Sequence, residues 1–91
     1  MAKVANVQKK IARVEGFGGV RFLYANGRDV RDNRSDLPLY RYKKGAPGNM
    51  TIGQWKERRF YRSFPTFRIE VFDSRGQRVN GKTLISNVRA W

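Results

Sequence analysis

Neither cysteine nor histidine occurs in the 91 residues. The first absence excludes disulfides and thiolate chemistry, and the second removes the commonest general base. Together they take away the ordinary zinc ligands and the Ser-His and Cys-His nucleophile pairs. Carboxylates are scarce as well: seven Asp and Glu stand against 20 Lys and Arg, for a net charge of +13. Long apolar runs are missing too. None approaches the length that spans a bilayer, and Lys3, Lys9, Lys10 and Arg13 break up the first fifteen residues where an export signal would be continuously apolar. These gaps lead to the expectation of a cytoplasmic protein that is not an enzyme and holds neither metal nor cofactor.

What is present suffices for one core. Hydrophobic residues make up 40% and aromatics 13%, unlike chains that stay disordered, and the length suits a single domain. Residues 1–15 read as a basic lead segment that need not pack tightly. Val4, Val7, Ile11 and Val14 permit a helix there, while their β-branching and the cluster Gly16, Gly18, Gly19 equally permit a strand.

Further along, Val20, Phe22 and Tyr24 alternate, and Asn26-Gly27 follows as a hairpin signal of the type I′ kind. Residues 20–31 are thus predicted to form a β-hairpin. Residues 32–36 make a polar loop, Leu37–Tyr42 a short strand with Pro38 near its start, and 43–49 a Gly- and Pro-rich loop. Thr51 stands at an N-cap position ahead of Ile52, Trp55, Arg59 and Phe60, predicting a helix over residues 52–62 that Pro65 ends. Phe67–Phe72 alternates again, and Asp73 to Gly76 supply a turn into Gln77–Val79, a second hairpin. The hairpins share Arg21, Arg28 and Val30 against Arg68, Arg75 and Val79, a likeness too short to establish a duplication. Leu84, Ile85 and Val88 could face the core from a strand or a helical turn, and Trp91 reads as a packed last residue. The expected fold is α+β but predominantly antiparallel β, a small barrel or curved sheet of two hairpins with one short helix near 52–62.

Nearly half of the net charge lies in residues 41–66, where Arg41, Lys43, Lys44, Lys56, Arg58, Arg59 and Arg62 oppose Glu57 alone. Tyr40, Tyr42, Trp55, Phe60, Tyr61 and Phe64 are interleaved with them. Cations that track a phosphate backbone, alternating with rings on which bases stack, suit a nucleic acid. Arg outnumbers Lys by 13 to 7, which favours two-pronged contacts to phosphate or base edges. Core packing claims Trp55, Phe60 and Phe64 in a chain this small, whereas Tyr40, Tyr42 and Tyr61 suit a half-exposed surface as well as a core. The candidate binding residues are Arg41, Tyr42, Lys43, Lys44, Lys56, Arg58, Arg59, Tyr61 and Arg62, with Arg28 and Arg75 at the hairpin tips.

Other chemistry is poorly matched. Asp29, Asp32 and Asp36 lack the alternate oxygens, central Gly and final Glu of a calcium loop, and the intervening arginines would repel a divalent ion, so a solvated loop with local ion pairs is expected. Gly45 to Thr51 lacks the Gly-Lys-Ser/Thr ending of a phosphate loop, and Gly16-Phe-Gly-Gly lacks the third Gly of a dinucleotide fingerprint. A helix-turn-helix needs two adjacent helices, and only one is convincing. The function expected is therefore that of a non-catalytic accessory protein that binds DNA or RNA. Docking of an acidic protein partner is the alternative.

Overall fold

In a computed structural model, residues 2–31 and 34–90 are described. The lead segment takes the helical option: α1 spans Val4–Glu15. Its apolar stripe falls at Val4, Val7 and Ile11, and four residues further on the stripe ends in Glu15; all four are buried. Gly16 closes the helix in a left-handed conformation, its N–H returning to the Ala12 carbonyl. Strand β1, Gly19–Tyr24, follows.

The second helix, α2, begins with an α-helical turn at Ile52–Trp55, continues as a π-helical stretch at Lys56–Phe60 and ends with Tyr61–Ser63. Thr51 and Gln54 form a reciprocal capping box at its start. The π stretch has a cause in the sequence. The buried positions are Ile52, Trp55, Phe60 and Phe64, and the step from Trp55 to Phe60 is one residue too long for an α-helical stripe. A wider turn absorbs the extra residue and returns Phe60 to the core. Strand β2, Phe67–Phe72, pairs antiparallel with β1 from Gly19 opposite Phe72 to Tyr24 opposite Phe67, and α3, Ile85–Ala90, ends the described chain.

Both α1 and α2 cover the same face of this two-stranded sheet. Phe22 at its centre meets Phe60 and Phe64 edge-on, with ring centroids 5.2 and 5.0 Å apart. Such pairs add about 0.5–1.5 kcal/mol each beyond the area they bury. Tyr40, Trp55, Ile69, Val71, Ile85 and Val88 complete the same core.

The expectation of a predominantly β molecule built from two hairpins is overturned. The sheet has two strands and does not close, and the described chain contains three helices. The reason lies in pairing. Each long strand takes the other as its partner, and the return after each turn makes only one isolated bridge, Leu23 with Asp29 and Phe72 with Arg78. The turns also differ from type I′. Asn26 keeps a negative φ and Gly27 alone is left-handed, at φ 87°, as Gly76 is at 79°; in each case a three-residue loop puts its glycine where a side chain would be strained. Leu37–Tyr42 forms no strand, since only Leu37 pairs, with Ala2. The assignment of Trp91 to the core falls outside the described residues, as do Asp32 and Asn33 of the polar loop.

The two halves of the molecule correspond far beyond the likeness of their turns. Gly27 N–H donates to the Tyr24 carbonyl and Tyr24 N–H to that of Arg28; Gly76 with Asp73 and Asp73 with Gln77 repeat both bonds. Val30 N–H donates to Phe22 O as Val79 N–H does to Val71 O. Upstream, Val4, Val7 and Ile11 match Ile52, Trp55 and Phe60, the π stretch accounting for the one unmatched residue. Arg21 corresponds to Glu70, its own partner across the strands. The halves are therefore related by a pseudo-twofold axis that passes through the sheet between Arg21 and Glu70.

Candidate functional site

The segment between the halves, residues 38–50, lies across the two helices and is fastened there by one buried carboxylate. Glu15 Oε1 accepts the Ala46 N–H at 2.7 Å, and Oε2 accepts the Tyr40 hydroxyl at 2.5 Å and Arg59 Nη1 at 2.8 Å. Arg89 of α3 adds a second guanidinium, with Nη2 3.6 Å from Oε1 and Nε donating to the Glu15 carbonyl at 2.7 Å. A carboxylate with no exposed surface persists only where its lone pairs are satisfied and its charge balanced, and both conditions hold. Burial, then the bond to Glu15, pushes the Tyr40 hydroxyl well above its ordinary pKa, so it stays a donor. Burial alone would lower the Arg59 pKa, but the Glu15 hydrogen bond and charge reverse this and raise it.

Arg59 also carries the connection outward. Its Nη1 donates to the Lys44 carbonyl at 2.6 Å, and its guanidinium lies 4.5 Å from the centre of the Tyr42 ring. Arg41 approaches that ring at 5.6 Å. Arg41, Tyr42, Lys43, Lys44 and Arg59 are thereby brought together. Arg62 is one turn beyond Arg59 on α2, and Arg58 adjoins it in the chain. Arg41, Lys43, Lys44, Arg58 and Arg62 are exposed and form no ion pair among the described residues.

The remaining candidates lie elsewhere. Lys56 sits half-buried in a cleft with Glu70 and Arg78, where burial lowers its pKa and Glu70 partly restores it. Tyr61 lines a shallow groove with Ala25, Pro65 and Arg68. Arg28 and Arg75 occupy opposite ends of the sheet, because the turn after Tyr24 adjoins Phe67 whereas the turn after Phe72 adjoins Gly19. A six-residue strand separates them by about 20 Å. Arg75 is moreover held at Asp73, 3.5 Å away.

Two groups of residues belong to this side of the molecule without having been singled out from the sequence. Glu15 is one, and its place four residues after Ile11 on the inner stripe was the available signal. Lys9 and Arg13 are the other: they are exposed on the outward stripe of α1, opposite Val4, Val7 and Ile11. Ion pairing is uneven across the molecule. On α1, the 38–50 segment and α2, Glu57 is the one exposed carboxylate, against Lys3, Lys9, Arg13, Arg41, Lys43, Lys44, Arg58 and Arg62. Elsewhere, Arg21 pairs with Asp29, Arg34 with Asp36 and Arg78 with Glu70, while Arg28, Arg31, Arg68 and Lys82 are also exposed. In the loop expected to carry local ion pairs, Asp36 pairs with Arg34, while Asp29 pairs instead with Arg21 of β1.

Among the described residues no helix is long and apolar enough to cross a membrane, and no cluster of acidic residues could hold a metal ion. Compared with known proteins, the chain matches no family model, no curated protein and no solved structure closely enough to carry an assignment.

Proposed function

We propose that the protein is a non-catalytic accessory factor that binds nucleic acid through the phosphate backbone, using the side formed by α1, the 38–50 segment and α2. The observation that carries this reading is the density of exposed cations on that side: Lys9, Arg13, Arg41, Lys43, Lys44, Arg58 and Arg62 stand against a single exposed carboxylate, Glu57, and form no ion pair among the described residues, whereas Arg21, Arg34 and Arg78 elsewhere are paired. Unpaired cations repel one another in the free protein, and a polyanion relieves the repulsion by releasing its own condensed counterions. The Glu15 anchor serves the same end by holding Arg41, Lys43 and Lys44 against α2 instead of leaving them on a mobile loop.

Fluorescence anisotropy with labelled DNA and RNA oligomers tests this. Affinity is expected to fall steeply with salt, by nearly one power of salt concentration per phosphate contact. Replacing Arg41, Lys43 and Lys44 together by Ala should lower that slope by up to about three while the melting temperature stays unchanged. Absence of binding to every oligomer at about 50 mM salt, where phosphate contacts are strong, overturns the proposal.

A further inference from the structure

We infer that the nucleic acid is a duplex, gripped on its two antiparallel backbones by two symmetry-related pairs of cations, Lys9 with Arg13 on α1 and Arg58 with Arg62 on α2. This rests on the function proposed above. The pseudo-twofold axis is perpendicular to the sheet, so it leaves each sheet face on its own side and carries α1 onto α2, running in the opposite direction. Beyond the π stretch the correspondence that joins Ile11 to Phe60 also joins Lys9 to Arg58 and Arg13 to Arg62. All four side chains are exposed.

The axis carries these cations onto cations, whereas it inverts the charges of the ion pairs on the sheet. The Arg21 and Asp29 ion pair, 3.9 Å apart, maps onto the Glu70 and Arg78 pair, 3.3 Å apart, with the signs exchanged. This quartet thus cancels about the axis, leaving Arg68 as the other exposed cation of the strands, and the two helical pairs double. A duplex has twofold axes of its own, which relate its two strands running in opposite directions, whereas a single strand has one polarity and no such axis. Two antiparallel helices bearing equivalent cations can make the same backbone contact twice on a duplex.

The state of the aromatic rings points the same way. Binding of single strands uses rings with a free face on which bases stack. Among the described residues none is exposed, and of the four half-buried rings three already carry an arginine. Arg34 lies 5.7 Å from the centre of Tyr24, Arg59 4.5 Å from Tyr42 and Arg21 5.6 Å from Phe72, and Tyr61 packs edge-on against Phe60.

The experiment compares a DNA duplex of about 20 base pairs, an RNA duplex of the same sequence and the separate strands, each titrated with the full chain from about 50 to 200 mM salt. At least one duplex should bind about tenfold or more tighter than its strands, the two duplexes showing which backbone is preferred. The variants Lys9→Ala/Arg13→Ala and Arg58→Ala/Arg62→Ala should each lower the salt slope by up to about two, with similar losses of affinity. Circular dichroism should show both still folded, and Arg68→Ala/Arg78→Ala on the sheet face should leave the slope nearly unchanged. Single strands bound as tightly as duplex, or one helical pair without effect, overturns this inference and leaves the broader function standing. Failure of every oligomer to bind at about 50 mM salt overturns both.

Discussion

Glu15 shows how much of the molecule one side chain can organise. Its carboxylate joins α1 to Tyr40, to the Ala46 backbone, to Arg59 of α2 and to Arg89 of α3. Replacing Glu15 by Gln keeps the shape and removes the charge, leaving Arg59 and Arg89 pressed against a neutral amide. Removing one partner of a buried pair costs about 3–5 kcal/mol, far more than an exposed pair contributes. A chemical-denaturation midpoint for this variant should therefore fall sharply, and an unchanged midpoint would show that the anchor does not hold the segment. Asp73 makes a different contribution, visible in pH dependence. Burial would raise its pKa, but the N–H groups of Gln77 and Arg75, bonding Oδ1 at 3.0 and 2.9 Å, outweigh burial and lower it. A carboxylate with a depressed folded pKa stabilises the fold fully above its ordinary value near 3.9, and the contribution is lost as pH falls through the lower folded value. Thermal melts should accordingly lose stability below about pH 4. Asp73→Asn should lower stability at neutral pH and flatten that acid limb; an identical limb would place the titrating group elsewhere.

At the level of elements, the structure separates what neighbouring residues decide from what distant ones decide. The start of α2 was legible because Thr51 and Gln54 satisfy each other's backbone groups within one turn. The positions of both turns were legible as well, since glycine marks them. Their type was not, because Asn26 tolerates either sign of φ and the strands around it make the choice. Gly27→Val should cost about 1–2 kcal/mol by strain at positive φ, with Gly76→Val costing the same, because an added Cβ meets open space at both positions. Unequal losses by differential scanning calorimetry would argue against the equivalence of the two turns. Strand pairing was misread for a physical reason: alternation shows which residues face the core, but it is silent on which strand lies alongside. Local proximity favours the return after each turn, yet a return of three residues offers one bridge, and six matched positions on the other strand outweigh it. The π stretch was hidden in plain sequence, as the five-residue step from Trp55 to Phe60.

Across the whole molecule, the central accumulation of charge could be counted in the sequence, whereas its organisation could not. Residues 41–44 and 58–62 meet because Arg59 reaches a carboxylate far away in the chain, and no local pattern announces that contact. Lys9 and Arg13 were visible in the sequence only as cations that interrupt the first fifteen residues, and the pseudo-twofold is what relates them to Arg58 and Arg62. Lys56, Arg28, Arg75 and Tyr61 carry suitable chemistry but occupy the cleft, the sheet ends and the groove. A net charge of +13 would also steer a polyanion, making association on the proposed reading fast and dependent on salt. The central claim, that the helical side receives nucleic acid, is tested most directly by following backbone amide shifts as duplex DNA is added at low salt. The expected result is a footprint on residues 9–13, 41–44 and 58–62 that fades as salt is raised. A footprint centred on strands 19–24 and 67–72, with the helical side unperturbed, would contradict it.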